Sequence, residues 1–304
     1  MNYIKGILLT IGLIAVMNLH GLSQTVEQPQ KKTEFEVSIG LGGIKPESIY
    51  ARTTGLDALI SQYASLYGVN HSASGTDARF NTLVPFNLSA NYFLGGDEFK
   101  WFLKGGITFG SKSIVDTKSY QVTWPGFTET HDYNMTNRIS YVIPHAGIGV
   151  RYTSFDFYGA LGLAFTRFNY TEEYSYSEPG LSSDITDDFK VKGTAPAVIL
   201  GIKYRKQLSR KKPGLNAFVK LEAMLLKLNT LKGTKTTTGI SGQGSSATID
   251  GTLYTFQWNP YQQEWFDYWD IVEGASPVSD SYTRNYEKMS LQLSGIRIMI
   301  GISF

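Results

Sequence analysis

Cysteine is absent from the 304 residues. That excludes a disulfide framework, a thiolate metal site and a lipid-modified cysteine. Charge is scarce: Asp, Glu, Lys and Arg make up 18% of the chain, with a formal net charge of +2. A balance so close to zero does not point to nucleic acid. Long apolar runs are scarce as well. Beyond the first two dozen residues none approaches the roughly 20 needed for a membrane helix, because Gly, Lys or Arg interrupts each candidate. Histidine is limited to four residues, one of them (His20) in the N-terminal segment. No Gly-x-Ser-x-Gly, His-Glu-x-x-His or phosphate-loop motif occurs. No catalytic set, metal or cofactor is therefore expected.

Aromatics fill part of the gap, at 13% with 19 Tyr, together with 31 Gly and many Ser, Thr and Asn. That mixture suits β-structure with long polar loops. The N-terminus, "MNYIKGILLTIGLIAVMNLHGLSQ", has Lys5, an apolar run from Ile7 to Met17, then Gly21 and Ser23. This is the three-part pattern of a secretory signal. Residues 1–23 are expected to be removed near Ser23–Gln24, leaving 24–304; an uncleaved N-terminal anchor is the alternative.

The last nine residues, "IRIMIGISF", alternate strictly: Ile296, Ile298, Ile300, Ile302 and Phe304 against Arg297, Met299, Gly301 and Ser303. Seven further stretches have the length of a tilted barrel strand. They are "FEVSIGLG", "FNLSANYFL", "KWFLKGGITFG", the segment from Ile139 to Tyr152, "FDFYGALGLAFTRF", "AVILGIKY" and "LNAFVKLEAMLL". The apolar phase slips at Pro144–His145 and near Gly295, where bulges are expected. "FDFYGALGLAFTRF" is apolar on both faces, so its orientation stays unassigned. Three connections are short: "GGDEF", "TSFD" and "RKQLSRKKPG". Four are long, at about 43–80, 111–137, 170–192 and 230–288, and the two kinds alternate. Short turns on one side and long loops on the other are the habit of a membrane barrel. A soluble sandwich also alternates apolar and polar residues, but nothing in it requires every second loop to be long. The expected fold is all-β: an eight-stranded antiparallel transmembrane up-and-down barrel with long extracellular loops. The last loop leaves room for one more hairpin, at "ATIDGTLYTF".

With these features the chain resembles the small outer-membrane β-barrels of Gram-negative bacteria, the OmpA/OmpX-like group. The resemblance covers about residues 33–304 and is one of architecture. It implies an integral outer-membrane location with both mature termini periplasmic, and contact with outer-membrane lipid and lipopolysaccharide. "IGISF", with Gly301 and Phe304, looks like the C-terminal signal read by the barrel-assembly machinery. It leaves function open among a structural or surface-binding role, including a subunit of a larger complex, a narrow channel, and an outer-membrane lipid A-modifying enzyme or protease.

Three groups of residues are the candidates for function. Glu36, Lys104, Arg151, Lys203, Lys220, Glu222 and Arg297 fall on the polar faces and are expected in the lumen, paired with one another or lining an ion path. "LDALISQYASLYG", with Leu56, Leu59, Ile60, Tyr63 and Tyr67 at helical spacing, is expected to form a helix that caps the mouth or docks a partner. "LYTFQWNPYQQEWFDYWD" carries Tyr254, Phe256, Trp258, Tyr261, Trp265, Phe266, Tyr268 and Trp269. It is expected either to pack loop on loop or to present a surface for a protein or glycan partner. His71, His131 and His145 are the histidines beyond the signal. His131 beside Asp132 is not a dyad, since neighbours in a strand point opposite ways.

Overall fold

Strand pairing, not coil, accounts for most of the long connections. The computed structural model describes residues 32–304, apart from 45, 77–78, 80–81, 96–97, 209–213, 241–244 and 275–276. The expected signal segment lies outside the described residues. Fourteen strands follow in order: β1 (Thr33–Gly43), β2 (Asn70–Gly75), β3 (Thr82–Gly95), β4 (Phe99–Trp124), β5 (Phe127–Tyr152), β6 (Phe155–Glu178), β7 (Leu181–Gln207), β8 (Asn216–Leu228), β9 (Lys232–Ile240), β10 (Ser245–Trp258), β11 (Phe266–Val272), β12 (Thr283–Lys288), β13 (Leu291–Gln292) and β14 (Gly295–Ser303). One α-helix, α1 (Ala51–Tyr67), and a 3-10 turn (Glu47–Tyr50) lie between β1 and β2.

Eight of these strands close a ring by antiparallel pairing. Its order is β1, β3, β4, β5, β6, β7, β8, β14 and back to β1. The closing pair sets Glu36 opposite Ser303 and Ile39 opposite Ile300. Phe35 and Phe304 exchange both backbone hydrogen bonds, at 2.9 and 3.0 Å. The eight alternating stretches therefore form the ring, but the sheet is larger than eight strands. The β4–β5 and β6–β7 pairs run without a break to their tips, Trp124 opposite Phe127 and Glu178 opposite Leu181. The stretches expected as loops at 111–137 and 170–192 are thus continuations of the wall. β2 lies against the upper part of β4, and β9 against the upper part of β7. β10 pairs with β9, β11 and β12, so the last loop holds a small sheet of its own.

The expected bulges are absent, and the reason is informative. β4–β5 pairing passes through Pro144 and His145 without a register shift. Every odd-numbered residue of β5 from Tyr133 to Arg151 points inward. What changes is the chemistry of the two faces. From His145 down the inward residues are small or polar, and from Val142 down the outward ones are apolar: Val142, Pro144, Ala146, Ile148, Val150, Tyr152. Above it Tyr133, Met135, Ile139, Tyr141 and Ile143 point inward and are buried, while Asp132, Asn134 and Arg138 point outward. The same holds near Gly295. Leu291 faces Leu228 and Gly295 faces Met224 in one common register, with Leu291 and Leu293 buried above Arg297 and Met299. The strands do not slip; the tube changes polarity along its length.

The lower half is thus a barrel with polar contents, and the upper half is a cap with an apolar core. In the base, the apolar outward run on β6 goes from Phe155 to Phe165, ten residue steps. That is about 33 Å of strand, or about 25 Å of height at a tilt of 35–45°. Phe99, Tyr152, Phe155 and Tyr204 occupy one lateral rung at its lower end, with ring centroids 4.9 Å (Phe99–Tyr152) and 5.2 Å (Phe155–Tyr204) apart. Phe86, Phe109 and Phe165 mark its upper end. The rising faces of β1, β3, β8 and β14 add Ile39, Leu41, Leu221, Leu225, Ile298 and Ile300, all exposed.

The cap is filled by the first and last connections. α1 buries Leu56, Ile60 and Ala64, and the turn before it buries Ile49. Gly68 adopts the left-handed conformation (φ 63°) and closes the helix, its N–H reaching Ser65 O at 3.2 Å, a geometry that disfavours any side chain. Between the walls and the helix sits Trp269 of β11, fully buried. Its ring packs on Phe168, Tyr170 and Phe189 and its Nε1 donates to Ile49 O at 2.9 Å.

Candidate functional site

Inside the base, alternation on eight strands converges polar side chains on one axis. Glu36 of β1, Lys104 of β4, Arg151 of β5, Lys203 of β7, Lys220 and Glu222 of β8 and Arg297 of β14 are all buried there. Glu34 and Asp156 join them. Sequence reasoning passed these two over: Asp156 sits on the stretch whose faces were ambiguous, and Glu34 precedes the alternation used to define the first strand.

The nine charges form one connected network. Lys104 Nζ donates to Glu36 Oε2 at 2.8 Å and to Ser89 Oγ at 3.1 Å. Asn91 donates to Glu36 Oε1 at 2.5 Å. Lys203 pairs with Glu36, with Asp156 at 2.6 Å and with Glu34 at 3.3 Å. Arg151 grips Asp156 with two nitrogens, at 2.6 and 2.9 Å, and reaches Glu34 at 2.8 Å. On the other side, Glu222 accepts from Arg297 Nε at 2.6 Å, pairs with Lys220 at 3.2 Å and accepts from Tyr158. Lys220 also donates to Asn87 at 3.0 Å. Charges so enclosed persist only because each has partners; removing one partner of such a pair costs about 3–5 kcal/mol. Glu34, Glu36 and Asp156 each place an oxygen within 4.8 Å of the others. The Lys203 ammonium lies in contact with all three, which supplies the charge a metal would bring.

A second buried centre sits in the cap. Arg52, in the first turn of α1, forms a fork with Glu172 at 2.9 and 3.1 Å, bonds Asp187 at 3.1 Å and lies 3.8 Å from Asp270. Phe189 and Tyr268 bracket its guanidinium, each with a centroid 4.8 Å away. Burial works against the charge on Arg52; Glu172 and then Tyr268 and Asp270 outweigh it and raise the pKa above the ordinary arginine value. Lys235 supports the same acids, at 3.1 Å from Asp187 and 3.0 Å from Asp270. One helix residue is thereby tied to β6, β7 and β11 at once.

Near the rim, His131 points inward while Asp132 points outward. The carboxylate beside His131 is Glu129, two residues back on the same face. Its Oε1 is 3.4 Å from His131 Nε2, and His131 Nδ1 lies 3.0 Å from the Tyr174 hydroxyl. Tyr176 donates to Glu129 Oε2 at 3.2 Å. Burial, followed by the charge of Glu129, pushes the Tyr174 hydroxyl up to about 12. His145 lies lower, in the base, with Nδ1 3.1 Å from Ile143 O. His71 is exposed on β2.

The aromatic stretch 253–270 divides. Tyr254, Tyr268 and Trp269 are buried and cannot belong to a recognition surface; they form the cap's interior because β11 lies inside the mouth against α1. Phe256 packs on Tyr268 and Tyr286, and Trp258 on Phe266 and Tyr268. Tyr261 meets Tyr63 of the helix at 5.9 Å. Trp265 lies under Arg284, 3.9 Å from the guanidinium carbon to the ring centroid. All five are partly accessible. At the end of β14, Phe304 packs against Phe35 at 6.2 Å. A Cβ on Gly301 would overlap the Val37 carbonyl oxygen, with the Phe218 ring close behind, so glycine lets β1 and β14 approach there.

No protein-family model matches the chain, and no curated protein matches its sequence. Membership of the OmpA/OmpX-like group is therefore not shown. Among solved structures, the outer membrane protease OmpT from Escherichia coli aligns over 93% of this chain and 99% of its own, at 10% identity and a TM-score of 0.37. A likeness that distant carries nothing about activity. The strand pairing by itself establishes an all-β antiparallel barrel of eight strands, extended upward by six more.

Proposed function

We propose that the chain is an integral outer-membrane barrel with a filled lumen, which holds a rigid cap at the cell surface in a structural or surface-binding role. One observation carries this reading: the reversal of polarity along unbroken strands. A tube that is apolar outside and polar inside over about 25 Å matches a bilayer's hydrocarbon height. A tube that is polar outside and apolar inside above that level matches water. A water-soluble protein has no reason to expose Leu161, Ile296 and Ile298 around its base. The short turns and both ends of the ring then lie on the periplasmic side, with the cap outside. β14 is the strand offered to the assembly machinery.

The filled lumen favours this role over conduction. Lys203, Lys220, Glu36 and Glu222 are almost wholly buried and consumed by one another, and the apolar core of the cap lies above them. In planar bilayers the purified protein is expected to give no steady conductance. A reproducible open level that Lys220→Met alters would make it a channel instead. A second reading, hydrolysis at the mouth, has one observation behind it: the Glu129–His131 pair, the hardware of general-base chemistry. It predicts a lipid or peptide turnover abolished by His131→Ala. Turnover that survives this change would remove that reading.

A further inference from the structure

The outer face of the tube carries an unbalanced row of cations just above the apolar band. Phe109, Val142, Phe165 and Thr194 form the last rung of that band. The next outward rung reads Ser111, Ser140, Arg167, Lys192, Lys232 across β4, β5, β6, β7 and β9. Arg167 is directly opposite Lys192, and Lys192 directly opposite Lys232. The rung above adds Arg138 and Lys190, separated by Asn169.

Residues directly opposite on antiparallel strands have Cβ atoms about 4.5–5.5 Å apart, and like charges so placed destabilise the sheet. Three cations thus share about 10 Å of one rung. All five side chains are exposed. Among the described residues, Lys190 alone has an ion pair, with Asp188 at 3.9 Å. Asp250, opposite Thr234 on the neighbouring rung, bonds none of them. Elsewhere this protein neutralises its charges: the lumen and the Arg52 centre are both densely paired. The row is also concave. Phe165, Arg167, Lys192, Gly193, Thr194 and Lys232 are among the residues lining a cleft of about 420 Å³ that opens to the outside.

We propose that this cleft seats the phosphate of a phosphorylated glycolipid headgroup in the outer leaflet. The inference rests on the membrane reading above, because that reading puts the row at headgroup level with acyl chains below it, against Phe165 and Leu163. The chemistry fits. Arg167 offers a planar fork for phosphate oxygens, and Lys192 beside it and Lys232 beyond offer point charges. The lipid's phosphate removes the repulsion that the bare row carries.

Native mass spectrometry of the full chain in neutral detergent tests this. The probes are diphosphoryl lipid A, the same lipid stripped of phosphate, and inorganic phosphate. The expected result is binding of the diphosphoryl form at least tenfold tighter than the stripped form. The variant Arg167→Gln/Lys192→Gln/Lys232→Gln loses that preference. Lys206→Gln, at the opposite end of β7, keeps it, as does the charge-preserving pair Arg167→Lys/Lys232→Arg to within a fewfold. In lipid-free micelles Lys192→Gln raises the melting temperature, because it relieves the row. Equal binding of both lipid forms, retention by the triple variant, or inorganic phosphate binding as tightly as the lipid would each overturn the proposal. Insertion is scored separately, by quenching of Trp101 with brominated acyl chains. A chain that inserts without discriminating loses only this inference; a chain that does not insert loses the membrane reading.

Discussion

Replacing Arg52 by methionine removes the one cation that ties α1 to three strands, while keeping the length and bulk that fill the space. Three carboxylates lose a partner. Asp187 and Asp270 retain Lys235 at 3.1 and 3.0 Å. Glu172 is left with the Tyr170 hydroxyl at 2.5 Å and no cation. The cost of leaving one buried carboxylate uncompensated is about 3–5 kcal/mol; with two of the three acids still served, about 3 kcal/mol applies. That is a little over a hundredfold in the opening equilibrium of the cap. Hydrogen exchange in micelles reads it directly. Residues 51–67, 168–191 and 266–272 exchange about a hundredfold faster in Arg52→Met, and β14 is unchanged. Adding Glu172→Gln recovers more than half of the protection, because the orphaned charge is gone. Unaltered exchange in 51–67 would refute the assignment of Arg52 as the cap's anchor. Equal loss in β14 would refute the separation of cap from base.

Two further outcomes follow from the same geometry. Leu161→Arg, at the most exposed apolar position of β6 (70%), destabilises the inserted barrel by about 2–4 kcal/mol, whereas Val115→Arg, outward but above the band, stays within about 0.5 kcal/mol; denaturant titration in lipid vesicles separates them. The Tyr174 hydroxyl has its pKa raised from 10 to about 12, so the folded cap holds that proton more tightly than the unfolded chain. Its contribution is fully present below pH 10 and is lost as pH climbs through 12. Tyrosinate absorbance shows this late step, and Tyr174→Phe deletes it.

The base was legible because one rule, alternation, governed both its faces. Ile296 to Phe304 reads as a strand from residue types alone, and Lys104, Lys220 and Arg297 could be assigned inward without a structure. The cap obeyed the same alternation with the polarity reversed. At Pro144–His145 and Gly295 that reversal mimics a one-residue slip, since shifting register and exchanging solvents leave the same trace in a hydrophobicity pattern. Asp156 was hidden on a stretch where apolar residues occupy both faces, Phe157 and Leu161 outward and Tyr158 and Ala160 inward. Trp269 stayed open between loop packing and a partner surface, because nothing local marks a loop strand that lies inside the mouth. The Arg52 centre joins residues more than 200 positions apart, Arg52 and Trp269, and no spacing rule reaches that far. The Glu129–His131 pair had a signal: two residues apart in a strand is one face.

Tryptophan quenching by lipids brominated along their acyl chains addresses the polarity reversal most directly. Trp101 is 54% exposed on the outer face of the base, and Trp269 is fully buried in the cap. Two variants of the reconstituted protein suffice, each retaining one of these tryptophans and carrying Phe at the other four. The account predicts strong quenching of Trp101 and none of Trp269. Trp101 fluorescence unchanged by brominated lipid, in protein whose strand content is intact, would contradict it.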